Sequence, residues 1–402
     1  MNDVELQSLY ATIINTQIVE ILIERVENPQ VVFESLNSTG KELTDIELIT
    51  NLLFMQIHDD NEQQRIYNAY WKTVEITLNS DKRSENFIKS FLSVVLERPD
   101  GLPKNRLYEI FKIDYLQNNI NPGEVAMTIS QYINVYRQIE LIDAPANNQL
   151  KSALNDIYEL KSVQPLPLLM VLLLKYNAGY LSIEHILLVI KLIETYIARR
   201  SLTGESSASH FRIFSSLAAT VNGLNITAEI LQAAFYYFAN LHGAAKMPRN
   251  ELVRATLLSK DFYNFANSKY FFEKIIFQIY GNEYNVGIEN RTIEHIMPQT
   301  LTYEWRDYLG GTWPTVHATK VNVLGNLVLI PQRLNTCLGQ RSFQKKKKSL
   351  IMDVEIFLRH HIQIYSVKLI KPFTGIAVQL TIIQIILQTS YLINLHYPKI
   401  FS

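Results

Sequence analysis

The chain predicts a mainly α protein in which a multi-helical domain is followed by a small unit of two strands and one helix. From Asp59 to about Tyr280, apolar residues recur at helical intervals between polar breaks, as in helices with one buried face. Within that region Leu166 to Leu174 is almost wholly apolar, too short to span a bilayer and suited to a fully buried helix. Beyond Arg291 the texture changes. Short apolar segments end near Pro298 and Pro331, which cannot donate to a continuing ladder, and read as strands. With 402 residues, 48% hydrophobic and 19% charged, the chain has material for two or three domains and is not a disordered polymer.

Taken in order, residues 4 to 27 mix apolar and polar positions, and the second half alternates like a strand. Ser38-Thr39-Gly40 is a turn. Thr44-Asp-Ile-Glu47 is a capping box whose helix should bury Leu48, Ile49, Leu52 and Leu53. Trp71, Ile76, Phe87, Ile88, Phe91, Leu92, Val95 and Leu96 follow at helix-like intervals, with a loop at Pro99-Asp-Gly-Leu-Pro103. Ile197-Ala-Arg-Arg200 leads into a polar loop from Thr203 to Ser209. Leu324 to Ile330 is apolar enough for a buried strand, and Gly325-Asn326 near its start fits a tight reversal. Arg333 to Lys348 reads as a helix that brings Asn335 beside His295. From Phe373 to Tyr397 there is no Lys, Arg, Asp or Glu; a membrane-spanning reading fits its length but is weakened by Gln379, Gln384, Gln388, Ser390 and Asn394.

The chemistry concentrates between Arg291 and Lys348. Cutting a phosphodiester requires a group that deprotonates water and a means of carrying charge that builds on the phosphoryl oxygens. An imidazole, whose free pKa is about 6.5, suits the first task, and His295 supplies one. The carboxylate of Glu294 and the amide oxygen of Asn335 are hard donors suited to Mg²⁺, which keeps several waters of its own. Asn326 is placed to hold the ribbon in register through side-chain to backbone hydrogen bonds. Each residue alone has a plainer reading: a surface His-Glu pair, a turn, and a solvated lysine face at Lys345 to Lys348.

Together the blocks Ile293-Glu-His-Ile-Met-Pro-Gln299, Leu324-Gly-Asn-Leu-Val-Leu329, Asn335 and Ser342-Phe343 followed by lysines resemble the HNH, or His-Me finger, nuclease domain of GmrSD-type, modification-dependent restriction endonucleases. Trp305 and Leu309-Gly310 also fall where that pattern expects them. The resemblance implies a ββα-metal fold, His295 as general base, Glu294 and Asn335 as metal ligands, Asn326 as scaffold asparagine and Lys346 near the phosphate. It departs at Asn322, where relatives often carry histidine, and at the looser Cys337 to Gln340 spacing.

Phe33-Glu34, Leu36-Asn37 and Gly40 resemble the N-terminal domain of the same family. That domain begins with a ParB-like nucleotide-handling core bearing an Asp-Gly-Gln-Gln-Arg block, which occurs nowhere in this sequence, so nucleotide chemistry is not carried over. The family's helical region has similar twin arginines to Arg199-Arg200 that could touch phosphates; an interhelical salt bridge is the plainer reading. The resulting expectation is a partial N-terminal region over 1–155, helical connecting region over 156–275, nuclease over 276–365 and atypical tail over 366–402.

Charge sharpens the partner. Arg291 to Lys348 holds nine Lys and Arg against three Asp and Glu, while residues 1–290 hold 25 against 33, so the nuclease segment is the one that should attract a polyanion. A single cysteine, Cys337, excludes an intramolecular disulfide and a cysteine-based zinc site. That cysteine usage leads to the expectation of a reducing, cytoplasmic compartment with no membrane partner, and the first residues lack the basic stretch and apolar core of a secretory signal. The expected partner is DNA, modified phage DNA by resemblance, with a homo-oligomer or an N-terminal partner segment as further expectations. The competing reading is a truncated, inactive remnant that serves as a binding module.

Overall fold

Thr44 opens the helical body by the exchange its sequence predicts. Its hydroxyl accepts from the Glu47 N–H at 3.4 Å, and the Glu47 carboxylate accepts from the Thr44 N–H at 2.8 Å. The helix that follows, Asp45–Phe54, buries Ile46, Ile49, Leu52 and Leu53. Ile46 takes the interior place expected of Leu48, which is only half-buried, because the face turned inward begins one residue after Asp45. The computed structural model describes residues 3–17, 43–98, 102–118, 121–280, 291–342 and 345–346. The strand expected over the second half of residues 4–27, the turn at Ser38 to Gly40 and the apolar tail all lie outside these residues.

Among the described residues the protein is mainly helical. Leu166–Asn177 is the central helix: Leu168 to Leu173 are buried on every side. Their neighbours are the helices Asp81–Val95, Pro122–Ile139 and His210–Asn222. Trp71, Phe87, Ile88, Phe91 and Leu92 reach this core as their spacing predicts, whereas Ile76 is exposed. A π-turn at Tyr67–Trp71 precedes Ile76 and alters the rotation per residue, so the expected helical face does not continue through it. No described helix is long and apolar enough to cross a membrane.

The twin arginines depart from the phosphate-touching role. Arg199 and Arg200 are 2% and 1% exposed, which removes them from a phosphate-binding surface. Arg199 donates to the Pro248 carbonyl at 2.9 Å and to Asn250 Oδ1 at 2.8 Å. Arg200 donates to the Lys246 carbonyl at 3.1 Å, the Ser206 carbonyl at 2.7 Å and His210 Nε2 at 2.9 Å. With Tyr196, which donates to the Ala245 carbonyl, they pin the 245–250 segment onto the Ile183–Thr203 helix.

Downstream, β1 (Arg291–His295) and β2 (Leu327–Pro331) form an antiparallel ribbon, with Arg291 opposite Pro331 and His295 opposite Leu327. The second strand starts three residues later than expected, because Leu324–Asn326 forms a tight 3₁₀ turn. Two short helices, Tyr303–Leu309 and Trp313–Lys320, connect the strands. A seven-residue helix, Gln332–Leu338, then packs on both strands. It stops at Gly339, with φ +42°, so the continuous helix expected from Arg333 to Lys348 is interrupted there. Leu324, Leu327 and Leu329 join the core of the helical body, which holds the ribbon against it.

Candidate functional site

Asn326 sits at the centre of the loop that closes the ribbon. Its backbone carbonyl accepts from Ile296 N–H at 2.9 Å, and its side chain accepts from Met297 N–H at 2.7 Å. The same amide donates to the Met297 carbonyl at 2.9 Å and the Val321 carbonyl at 2.7 Å. Buried and satisfied at both ends, it ties the chain leaving β1 to the chain entering β2. Below it Met297, Leu301 and Trp305 form a small apolar cluster. The indole of Trp305 donates to the Arg341 carbonyl at 3.1 Å, which tethers the segment after the short helix.

His295 is the last residue of β1 and is 6% exposed. Its Nε2 lies 3.0 Å from Asn322 Oδ1, and the Tyr263 ring sits 4.5 Å from the imidazole, tilted by 55°. Glu294, one residue earlier, belongs to the other face of the strand, where alternation also places Thr292. Asn335 reaches that face from the Gln332–Leu338 helix: its amide nitrogen donates to Thr292 Oγ1 at 2.8 Å and to the Ile293 carbonyl at 3.3 Å. Those bonds use its donor end and leave Oδ1 as its remaining function. An open cleft of about 650 Å³ runs between Tyr263, Thr292, Ile293, Gln332, Asn335 and Thr336, so the neighbour of the imidazole and the amide of Asn335 line one space.

Lys346 is 1% exposed, and its ammonium contacts Glu294 Oε1 and the His295 carbonyl, each at 2.6 Å. It lies beneath the strand and is not turned towards solvent, unlike the phosphate contact expected from the sequence. Two oxygens therefore converge on a cation here, and that cation is the lysine. A carboxylate and an amide oxygen on one face of β1 are the hard donors that Mg²⁺ takes, with water filling the remaining positions. No group of three His, Cys, Asp or Glu that could hold a metal occurs among the described residues. The two donors are of the type Mg²⁺ takes, and one of them, the Glu294 carboxylate, is already engaged by the Lys346 ammonium.

Two residues at the site escaped the sequence reading. Asp261 Oδ2 accepts from Asn322 Nδ2 at 2.9 Å, and the Phe262 N–H donates to the Asn322 carbonyl at 2.8 Å. Tyr263 follows and covers His295. The sequence trace is the turn Asp261-Phe-Tyr-Asn264, in which Asp261 Oδ1 accepts from Asn264 N–H at 2.9 Å. That pattern marks a turn, not its location beside an imidazole.

Residues 247–365 match the family model described as the C-terminal domain of GmrSD restriction endonucleases. The matched range contains Asp261, Tyr263, Glu294, His295, Asn322, Asn326, Asn335 and Lys346, and it starts where the arginine clamp grips the chain. It supports a restriction-endonuclease C-terminal domain over that range and leaves the earlier residues outside the match. No curated protein matches the chain.

Proposed function

We propose that this protein is a metal-dependent HNH-type endonuclease that hydrolyses phosphodiester bonds in DNA, acts in prokaryotic defence against phage, and prefers modified DNA. The observation that supports cutting most directly is the imidazole of His295, held by a side-chain hydrogen bond at the end of β1 beside an open cleft, inside the family-matched range. DNA would lie in the cleft, drawn by the surplus of basic residues between Arg291 and Lys348.

His295 removes a proton from the attacking water through its free ring nitrogen while the water oxygen bonds to phosphorus and the P–O3′ bond breaks. The proton goes to the imidazole, and the departing 3′ oxygen is protonated by solvent. Glu294 and Asn335 are the residues that would hold Mg²⁺; when bound, that ion supplies positive charge to the oxygens on which negative charge accumulates. Asn326 keeps the strand end and the following turn at fixed distance, so the imidazole does not drift from the substrate. Lys346 balances the Glu294 carboxylate and fixes the His295 carbonyl.

The test is nicking of supercoiled plasmid and of modified phage DNA by the purified chain with Mg²⁺ and with EDTA. Cutting with Mg²⁺ alone, reduced about 100- to 10,000-fold in His295→Ala, is the expected result. A second reading, a DNA-binding module that does not cut, draws on the Glu294–Lys346 pair, because a permanently engaged carboxylate would leave little for a metal. Retention of DNA without cutting in Mg²⁺ or Mn²⁺ would select that reading.

A further inference from the structure

We infer that Asp261 and Asn322 are positioning residues that hold His295 as its Nε2–H tautomer, so that Nδ1 is the nitrogen presented as base; this rests on the reading of His295 as the base. The chain of bonds runs from Asp261 Oδ2 to Asn322 Nδ2 at 2.9 Å, and from Asn322 Oδ1 to His295 Nε2 at 3.0 Å. An ionised carboxylate can only accept, so it compels Asn322 to turn its NH₂ end towards Asp261. The opposite flip would set an amide oxygen against a carboxylate oxygen. With the amide fixed, the atom facing the imidazole is Oδ1, which also only accepts. Nε2 must therefore carry the hydrogen, and the lone pair of the neutral ring is on Nδ1.

Asp261 is itself held for this task. Burial pushes its carboxyl pKa up, but hydrogen bonds from the Asn264 N–H and side chain, and from Asn322, outweigh burial and keep it below the ordinary carboxylate value. Asn264 Nδ2 donates to Asp261 Oδ2 at 2.9 Å, so one carboxylate oxygen serves both asparagines. The backbone locks the same pair from the other side, through the Phe262 N–H to Asn322 carbonyl bond and an antiparallel bridge between Asp261 and Val323. Tyr263, next in the chain, closes over the ring. The segment before the ribbon thus reaches the imidazole twice, by charge and by contact. Two other histidines give internal contrasts: His317 Nε2 faces the Pro298 carbonyl at 3.1 Å and must donate, whereas His210 Nε2 accepts from Arg200 and must carry its hydrogen on Nδ1.

The experiment is long-range ¹H–¹⁵N correlation of the imidazoles in the full chain labelled with ¹⁵N-histidine, with His295 assigned by its loss in His295→Gln. In the wild type the neutral His295 ring should show the Nε2–H pattern. In Asp261→Ala and Asn322→Ala it should become a tautomer mixture while His317 stays unchanged. The same variants should lose about 10- to 1,000-fold in kcat with KM within about twofold, the signature of a misdirected base as opposed to lost DNA contacts. A wild-type Nδ1–H pattern overturns the inference even if neither variant folds. An Nε2–H pattern that persists in both variants overturns it as well. Should the wild type show the expected tautomer, lost in the variants, and yet cut no DNA, the inference on the imidazole stands and the nuclease reading fails.

Discussion

At residue scale, Asn326 and Lys346 brace the strand end from buried positions. Asn326→Ala would leave the Met297 N–H, the Met297 carbonyl and the Val321 carbonyl without their partner. Each unsatisfied buried group costs about 1–3 kcal/mol, partly recovered by relaxation, so a loss of about 3 kcal/mol in urea unfolding is expected. Activity should fall further than folded fraction, since the turn after His295 loses its tether. Lys346→Met removes the cation paired with Glu294. Mg²⁺ or Mn²⁺ should then bind about tenfold more tightly by calorimetry, a difference of about 1.4 kcal/mol. Unchanged metal affinity would mean that Glu294 is not a ligand. The sequence named His295, Glu294, Asn326 and Asn335 because they lie in short ordered blocks. Asp261 was invisible because its bond to Asn322 spans 61 positions, and nothing local in a turn says which side chain it faces.

At the scale of elements, what was legible was what is local. The capping box at Thr44 needs three consecutive peptide units, and it forms as its spacing dictates; Thr44→Ala should cost about 1 kcal/mol in thermal or urea unfolding. The apolar run from Leu166 likewise declares a buried helix, whatever surrounds it. The helix after β2 is shorter than its sequence predicts because its stop depends on Gly339 taking a positive φ, one of several conformations glycine accepts. The sequence offers the twin arginines an interhelical salt bridge or a phosphate, and neither reading points to backbone carbonyls as their partners. Their burial depends on carbonyls of the 246–250 segment, which the helix meets only after the chain has passed through two more helices.

At the scale of the molecule, buried charge ties the helical body to the ribbon's approach. Glu194 is fully buried between Lys191 and Lys274 and accepts from the Tyr270 hydroxyl at 2.5 Å; Lys274 also pairs with Asp156. The cluster joins the helices Asn148–Glu159, Ile183–Thr203 and Ser268–Tyr280, the last of which precedes β1. Burial alone would raise the Glu194 pKa, but the two ammonium groups hold it down at about 2. Its folded value therefore lies below its unfolded value, and its stabilisation is present above about pH 4.3 and lost as pH falls towards 2. Removing the carboxylate in Glu194→Leu leaves the buried Tyr270 hydroxyl without its acceptor and Lys274 with Asp156 alone, and should cost about 3 kcal/mol in urea unfolding.

His210 acts in the same direction at milder pH. Burial, helped by the Arg200 charge, pushes its pKa down to about 4, so the unfolded chain binds a proton that the folded chain refuses between about 6.5 and 4. Stability should fall through that window by about 3 kcal/mol at most, and the fall should be absent in His210→Phe, as measured by urea unfolding at a series of pH values.

The central claim is that the His295 imidazole takes the proton of the attacking water in DNA hydrolysis. Chemical rescue tests it most directly: His295→Gly is incubated with labelled duplex DNA and Mg²⁺, with and without free imidazole. Negligible cutting without imidazole and at least about tenfold recovery with it is the predicted result, since the added ring supplies the missing base. Cutting by His295→Gly at the wild-type rate would contradict the claim outright.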